Sequence, residues 1–314
     1  MLYLVDGDGL LYRAANAIPY FTNAHGLPTN GLHGFAAMMW RLRRMAELSH
    51  MAVAFTGDPP LLKHRLDPDY KVNHYEHPEE IKRQMPYAMR FVKGLGVGVF
   101  LEQGYEADDV IATLLLQHRR MHARIVSSDR DFYQLVSDRA RVLAPVRGVS
   151  EMRDVGPAEV NATYGIMPSQ IPDLKALTGD PSDDIPGVRG IGPKTAAALL
   201  REFPTVEALL ANLDGVNIPG VRLRLEPMRE RILLNKQLAT PLVVRFQRRQ
   251  KLAVAPPQRR ALRALAEETG VGSISPPAQC LSLRRDTSLK ERDGGYEPTA
   301  SESPERRWRR CFGS

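Results

Sequence analysis

The feature that most constrains the fold is an alternation of short apolar runs with stretches of helical periodicity in the first half of the chain. The apolar runs predict β-strands over Leu2–Val5, Met51–Phe55, Val97–Leu101, Arg124–Ser127 and Arg141–Leu143. The stretches between them that have helical spacing are Gly31–Leu48, Pro78–Leu95 and Ala107–His118. This alternation predicts βαβ units, and therefore an α/β fold whose parallel sheet is flanked by helices and binds ligands beyond the carboxyl ends of its strands.

The second half of the chain has a different pattern, with helical spacing interrupted by Gly and Pro. Predicted helices cover Pro157–Tyr164, Ser169–Leu177, Pro193–Phe203, Thr205–Leu210 and Arg222–Leu238. After about residue 250 there are few large aliphatic residues and little periodicity, apart from a short candidate helix over Arg259–Glu268. We therefore predict an α/β domain over 1–156, a smaller all-α domain over 157–250, and a disordered basic tail over 251–314.

Acidic residues stand directly after several predicted strands. They occur after the first strand, in GYEADDV after the third, in SSDRDF after the fourth, and in the loop LTGDPSDDIPG of the helical half. These residues are Asp6, then Glu106, Asp108 and Asp109, then Asp129 and Asp131, and finally Asp180, Asp183 and Asp184. Because the carboxyl ends of parallel strands meet at one edge of a sheet, we expect these carboxylates to lie close together.

Carboxylates that lie within a few ångströms of one another repel and need counter-charge, which divalent cations supply. Mg²⁺ prefers hard oxygen ligands and is commonly held by carboxylates together with substrate phosphate. Two such ions about 3.5–4 Å apart stabilise both the attacking and the leaving oxygen of a phosphoryl displacement. The pattern therefore predicts metal-dependent phosphodiester hydrolysis that needs no Ser or Cys nucleophile.

Each acidic group also has a simpler explanation. Acids at 106–109 open a predicted helix, where the helix dipole favours negative charge. Ser128 or Asp129 suits the N-cap of a helix, and the acids at 180–184 are typical of a turn. Capping explains each group separately, but not their joint occurrence at successive strand ends.

The segment GVRGIGPKTA resembles a helix–hairpin–helix, in which a tight glycine turn brings backbone amides and a helix N-terminus to a phosphate. The residues predicted to contact the DNA backbone here are Gly187, Gly190, Gly192, Lys194 and Thr195. Such contacts carry no base specificity. The alternative is an ordinary glycine-rich connection between two helices.

Charge and cysteine usage add weaker constraints. The net charge is +7, but residues 246–314 carry 14 Lys and Arg against 8 Asp and Glu, so basicity alone is weak evidence for nucleic-acid binding. Cys280 and Cys311 give neither a disulfide framework nor a metal-ligand spacing, which predicts a reducing, cytoplasmic location. No run of about 18 apolar residues and no basic n-region appear, so neither a membrane span nor a signal peptide is expected.

The ordered motifs VDGDGLLYRA, GYEADDVIAT, SSDRDFYQLV and LTGDPSDDIPGVRGIGPKTA resemble the bacterial and phage 5′ nuclease family. That family includes the 5′→3′ exonuclease domain of bacterial DNA polymerase I and is related to the flap endonucleases. The resemblance covers roughly residues 1–245 and implies a PIN-like α/β nuclease domain followed by a helix-3-turn-helix DNA-binding domain. No polymerase domain follows, so we expect a stand-alone nuclease or a product truncated before one.

The resemblance implies a 5′→3′ exonuclease with flap-endonuclease capability, acting on DNA with free 5′ ends or 5′ flaps. It implies two or more Mg²⁺ or Mn²⁺ ions, and a K⁺ ion at the helix–hairpin–helix turn. The implied metal ligands are Asp6, Glu106, Asp108, Asp109, Asp129, Asp131, Asp180 and Asp183. Of these, Asp6, Glu106 and Asp108 belong to the ion that activates water. Asp129, Asp131 and Asp183 belong to the ion near the leaving group, and Asp109 and Asp180 are shared or outer-sphere.

Basic residues are carried over from the same family. Lys71 and Arg83 match its basic positions in a mobile arch over roughly 70–89, through which a single-stranded 5′ end passes. Lys71, Lys82 and Arg83 are expected to neutralise phosphate, and Tyr12 and Tyr70 to stack on bases. The alternative for the basic residues is a solvated helix face.

The sequence departs from the family pattern at two positions. Thr56 stands where the family usually has an Asp after the second strand, and the nearest acid is Asp58. His74 stands where an Arg is expected. These departures leave open a second hypothesis, a non-catalytic binder of branched DNA. A PIN-type ribonuclease is a third, although its class typically lacks the second domain. No heptads or association face are evident, which predicts a monomer.

Overall fold

A six-stranded sheet carries the first half of the chain in the computed structural model, which describes residues 1–45, 48–73, 78–246, 250 and 252–277. The strands are β1 Leu2–Asp6, β2 His50–Thr56, β3 Gly98–Glu102, β4 Ala123–Val126, β5 Ala140–Arg147 and β6 Glu151–Val155. Their order is β3-β2-β1-β4-β5-β6. The first five are parallel and β6 is antiparallel to β5. The predicted α/β class and all five predicted strands are confirmed.

The strand β6 was missed because its sequence, EMRDV, is mostly polar and exposed. An edge strand that is solvated in this way has no continuous apolar run to mark it. β1 shows the opposite case, because all five of its residues are buried between β2 and β4. Its central position places the residues that follow Asp6 in the middle of the sheet edge.

The first half also contains α1 Gly7–Ala17, α2 Asn30–Arg43, α3 Glu79–Lys82, α4 Met85–Gly94 and α5 Ala107–Gln117. Helix α1 was not predicted, because Gly7 and Gly9 in its first turn resemble a loop. Gly9 is needed there, since a Cβ at this position would collide with the carboxylate of Asp6. The predicted helix over Pro78–Leu95 is divided into α3 and α4 next to the buried Gln84, whose side chain accepts a hydrogen bond from Leu32 N at 2.8 Å.

The helical half contains α6 Pro157–Tyr164, α7 Ile171–Thr178, α8 Pro193–Glu202, α9 Val206–Ala211, α10 Val221–Leu225 and α11 Arg229–Ala239. The predicted helix over Arg222–Leu238 is divided by a 3₁₀ turn at Glu226–Met228. One hydrophobic core runs from the sheet (Leu4) through α5 (Val110) into α7 and α9 (Leu174 and Leu209). Residues 1–276 therefore form one compact unit, in which the predicted boundary near 156 separates two patterns but not two cores.

The prediction of disorder over 251–314 is wrong for residues 252–277. Ala253 forms an antiparallel bridge with His50, and Ala255 N donates to Gly96 O at 2.8 Å. Helix α12, Arg259–Thr269, buries Leu262, Leu265 and Ala266 on one face. The aliphatic residues of this segment are few, but their helical spacing is enough to pack it on α4. The remainder of the predicted tail, 278–314, lies outside the described residues.

In the part of the chain that the structure describes, no helix combines the length and the apolar character that a bilayer crossing needs.

Removing the apolar anchor of α12 should destabilise the whole nuclease unit. Leu262 is fully buried and lies against Gly94 at the end of α4. We expect Leu262→Ala to lower the free energy of unfolding by about 2–5 kcal/mol, the usual cost of a large-to-small change in a core. Urea denaturation measures this, with Arg263→Ala on the exposed face of α12 as the matched control. Equal stability of the two variants would show that α12 does not contribute to the core.

Candidate metal centre

The carboxyl ends of the central strands open onto a cavity of about 930 Å³. Its acidic lining residues are Asp6, Asp8, Asp58, Glu106, Asp108, Asp129 and Asp183. Asp6 ends β1, Asp129 follows β4, and Glu106 and Asp108 lie at the start of α5. The structure therefore brings together acids from separate segments, as the strand topology predicted.

Asp6 is buried at the end of β1 and is also the N-cap of α1. Its Oδ1 accepts a hydrogen bond from Gly9 N at 2.8 Å, and its Oδ2 accepts one from Ser127 Oγ at 2.7 Å. Ser127, directly after β4, also accepts from Asp129 N at 3.0 Å through its Oγ. One serine thus connects the acid after β1 to the acid after β4.

Glu106 is the centre of a buried ionic network. Its Oε1 lies 2.5 Å from Lys71 Nζ, its Oε2 lies 3.0 Å from Lys63 Nζ, and Tyr70 Oη donates to Oε2 at 2.9 Å. Burial favours the neutral acid, but the two lysines outweigh it and lower the pKa of Glu106 to about 2. Glu106 is therefore ionised and held in place across the working pH range.

Asp108, Asp129 and Asp131 form one carboxylate cluster, with an oxygen of each lying within 4.8 Å of the others. Burial and the neighbouring charge of Asp129 raise the pKa of Asp108 well above its ordinary value. Burial and the same neighbour raise the pKa of Asp131 to about 6. Like charges held this close favour either a proton or a cation between them.

A second cluster contains Asp131, Asp180 and Asp183, again with oxygens within 4.8 Å of one another. Lys175, on α7, forms ion pairs with both Asp131 and Asp180. Although burial opposes it, Lys175 lowers the pKa of Asp180, whereas burial raises the pKa of Asp183. Asp131 belongs to both clusters, so the two form one continuous acidic surface.

Asp109 differs from the other predicted ligands. Its Oδ2 accepts from Glu106 N at 3.0 Å and its Oδ1 accepts from Leu242 N at 2.6 Å. Both carboxylate oxygens are therefore occupied by main-chain amides, which connect the start of α5 to the segment after α11. The structure does not bring Asp109 into either cluster.

Asp8 lines the same cavity as Glu106 and was not singled out from the sequence. Its Oδ2 accepts a hydrogen bond from Thr56 N at 2.7 Å. Burial raises the pKa of Asp8 to about 6, although hydrogen bonds from Thr56 and the charge of Lys71 oppose the shift. Asp58, the acid nearest to Thr56 in sequence, is exposed, and its carboxylate accepts from Gln103 Nε2 at 3.2 Å.

The predicted basic residues separate into two groups. Lys71 adopts the left-handed conformation (φ 53°), and its Nζ lies 3.2 Å from Asp183 Oδ1 in addition to its contact with Glu106. Lys82 lines the cavity. The Arg83 guanidinium instead donates to Gly26 O at 3.0 Å, and Arg83 does not line the cavity. His74 lies outside the described residues.

The two tyrosines proposed for base stacking also differ. Tyr12 lines the cavity and is 45% exposed, so its ring is accessible. Tyr70 is 1% exposed beneath Lys63 and Lys71, with its hydroxyl on Glu106. The expectation that Tyr70 stacks on bases is wrong, because its ring is covered and its role is to hold Glu106.

The glycine hairpin connects α7 to α8 at a short distance from these acids. Val188 and Ile191 are buried and anchor it, while Gly190 (φ 80°), Gly192 and Lys194 are exposed. Gly187 packs so closely on the end of α7 that a Cβ would collide with the backbone of Thr178. Gly192 is the N-cap of α8, so the amides of Lys194 and Thr195 belong to a helix N-terminus that lacks intrahelical acceptors.

Sequence analysis missed Asp8, Lys63 and Lys175. Asp8 had a signal, because it lies two residues after Asp6 in VDGDG. The lysines had none. Lys63 lies in the 3₁₀ turn Leu62–Arg65 and Lys175 in α7, and each becomes informative only when folding brings it to an acid.

The set of donors fits hard divalent cations. The two clusters offer carboxylate oxygens at mutual distances suited to one ion each, and they contain no sulfur or imidazole ligand. The residues that would hold such ions are Asp108, Asp129, Asp131, Asp180 and Asp183. Asp6 and Glu106 line the same cavity as Asp108, Asp129 and Asp183.

Comparison with known proteins finds two family models along the chain. Residues 1–165 match the family model of the 5′-3′ exonuclease, N-terminal resolvase-like domain, and residues 166–258 match that of the 5′-3′ exonuclease, C-terminal SAM fold. DNA polymerase I of Bacillus subtilis is 36% identical over 241 residues, which are 76% of this chain and 27% of that protein. The chain thus spans about a quarter of the length of this relative.

Solved structures share the fold. A T5 5′-exonuclease with bound zinc superposes with a TM-score of 0.64 at 22% identity, covering 76% of this chain and 88% of that one. The bacteriophage T5 D15 flap endonuclease, in a complex with DNA and metal ions, gives a TM-score of 0.61 at 21% identity, covering 87% and 96%. With both family domains matched in order along its length, this chain belongs to the 5′-3′ exonuclease family of nucleases.

Proposed function

We propose that this chain is a divalent-metal-dependent 5′→3′ exonuclease and 5′-flap endonuclease that hydrolyses DNA phosphodiester bonds. The observation that carries the proposal is the pair of carboxylate clusters that share Asp131 at the edge of the sheet. Divalent cations held there would stabilise negative charge on the attacking and leaving oxygens of a phosphoryl displacement. Mg²⁺ or Mn²⁺ suits these oxygen ligands, in keeping with the divalent ions bound by the T5 enzyme.

The protein's own residues would orient this chemistry. Tyr70 and Lys63 hold Glu106 from the buried side. Lys71 reaches the cavity from the segment 70–73 and offers a cation to a phosphate oxygen, while Lys82 and Tyr12 line the approach. Arg83 keeps its proposed role only if the segment that carries it moves on substrate binding.

The hairpin after α7 would hold the DNA backbone. The helix N-terminus at Lys194 and Thr195 points amides and a positive charge at a phosphate, which gives affinity without base preference. A K⁺ ion at the turn of Gly187–Gly192 is part of the proposal and rests on the family resemblance. The monomeric state and the cytoplasmic location also remain predictions.

Neutralising a carboxylate of the Asp108, Asp129 and Asp131 cluster should abolish cleavage while substrate binding persists. We expect Asp129→Asn and Asp131→Asn to lower the cleavage rate of a 5′-labelled DNA flap by more than the roughly 10- to 100-fold that loss of an outer-shell partner costs. Binding of the flap in EDTA should be unchanged or tighter, because a negative charge facing phosphate is removed. Asp138→Asn, an exposed carboxylate away from the cavity, is the control. Full activity of both variants would refute the assignment.

Metal binding should release protons, and more of them at low pH. Because the pKa of Asp131 is raised to about 6, this acid is partly protonated around pH 6 in the metal-free protein, whereas a bound cation requires its ionised form. The pKa of Asp108 is raised in the same direction. Affinity should therefore be highest above the raised pKa values and fall as pH drops through about 6. Titration calorimetry with Mn²⁺ at about pH 6 and pH 8, in two buffers of different ionisation enthalpy, measures the release. Identical release at both values would contradict the prediction.

The hairpin is expected to contribute to DNA affinity through Lys194. We expect Lys194→Ala to weaken flap binding for all sequences alike and to reduce the salt dependence of binding by about one ion. Lys93→Ala, an exposed lysine on α4, provides the matched control. If both lysines behave alike, the hairpin is an ordinary helix connection.

The two alternative functions are separated by one assay. Matched DNA and RNA flaps with Mg²⁺, Mn²⁺ or EDTA distinguish a DNA nuclease, which cuts the DNA flap with metal, from a ribonuclease, which prefers the RNA flap. A branched-DNA binder without activity binds the DNA flap but cuts neither under any metal.

A further inference from the structure

The end of β2 lacks an acid of its own, because Thr56 stands where the family pattern has an Asp. Thr56 itself is used structurally, since its Oγ1 accepts a hydrogen bond from Ala107 N at 3.2 Å and so caps the start of α5. The adjoining cavity wall is nevertheless acidic, because Asp8 reaches it from the first turn of α1.

The strand register explains how Asp8 arrives there. Asp6 pairs with Ala54 across β1 and β2. Asp8 and Thr56 are each two residues further along, and the Asp8 carboxylate closes the gap by accepting from Thr56 N at 2.7 Å. The carboxylate of Asp8 therefore covers the end of β2.

One oxygen of this carboxylate accepts no hydrogen bond within the described part of the chain. Asp8 is 7% exposed, and its Oδ1 is buried with no hydrogen-bond partner. An unpaired carboxylate oxygen out of water is costly unless a cation or a proton compensates it. The side chain lines the same cavity as Asp6, Glu106 and Asp108, where cations are proposed to bind.

We propose that Asp8 is a further ligand of the divalent-cation site and supplies the carboxylate that Thr56 does not, a role that rests on the proposed metal-dependent function. A purely structural role does not account for the geometry. An acid that merely favoured the N-terminus of α1 would keep its oxygens in water. An acid that merely accepted from Thr56 N would need only one oxygen, which an Asn provides equally well.

This difference makes Asp8→Asn the informative variant. The Asn side chain keeps an acceptor for Thr56 N and removes the negative charge, so the melting temperature of the metal-free protein should be unchanged or higher. We expect the Kd for Mn²⁺, followed by the electron paramagnetic resonance signal of free Mn²⁺, to rise by more than the roughly 10- to 100-fold that loss of an outer-shell partner costs. Cleavage of the DNA flap at low Mn²⁺ should fall in parallel.

The double variant Asp8→Asn with Thr56→Asp tests directly whether Asp8 replaces a carboxylate at position 56. A carboxylate placed at position 56 should restore Mn²⁺ affinity to within a few-fold of the unmodified chain. Thr56→Asp alone places two carboxylates together and should not strengthen Mn²⁺ binding. Asp58→Asn tests the rival that the exposed acid nearest in sequence acts instead, and should bind Mn²⁺ as the unmodified chain does.

The outcomes separate this proposal from the function on which it rests. Unaltered Mn²⁺ affinity in Asp8→Asn, or weakened affinity in Asp58→Asn instead, would overturn the role of Asp8 while the unmodified chain still bound Mn²⁺ and cut DNA. If the double variant did not recover Mn²⁺ affinity, the claim that Asp8 replaces a carboxylate at position 56 would likewise be overturned. Failure of the unmodified chain to bind Mn²⁺ or cut any flap would overturn the proposed function itself.

Discussion

The fold depends on holding many carboxylates together at one edge of the sheet. Their mutual repulsion would separate the segments that carry them unless it were compensated. Lysines from three separate segments do this in the described structure: Lys63 and Lys71 pair with Glu106, and Lys175 pairs with Asp131 and Asp180. A buried ion pair adds little stability relative to an apolar pair, but loss of one partner leaves an uncompensated charge. The acidic centre therefore requires these lysines to compensate its charge, whether or not they touch substrate.

The helical half of the chain is part of this arrangement. Lys175, Asp180 and Asp183 come from α7 and the loop after it, yet they lie against Asp131, which follows β4. Asp183 also shares Lys71 with Glu106, at the start of α5. The continuous core from Leu4 to Leu209 makes this possible, because it fixes α7 against the sheet. A nuclease half without the helical half would lack part of its own acidic centre.

How much of the fold and of the site can be predicted from the sequence depends on whether a feature leaves a local pattern in the chain. The strands β1 to β5 were predictable because buried parallel strands are continuous apolar runs, and the acids because they stand directly after those runs. The exposed strand β6 and the helix α1 with its two glycines carry no such local signal. The role of Tyr70 was mispredicted because sequence shows that a residue is near a site, but not what its side chain touches. A short helix over Arg259–Glu268 was a candidate from the sequence, but the packing of 252–277 was missed, because nothing local shows that Leu262 and Leu265 pack against α4.

The single loop between α7 and α8 carries both Asp180 and Asp183 at its start and the Gly190–Gly192 turn at its end. Asn235, fully buried on α11, donates to Ala176 O at 3.2 Å and to Pro186 O at 2.7 Å, which ties that loop to the helix before it. If DNA binds as proposed, the acids hold the phosphate that is cut and the hairpin binds a second phosphate. The length of this loop, about ten residues, would then set the distance between the acidic centre and the part of the DNA backbone that the hairpin binds.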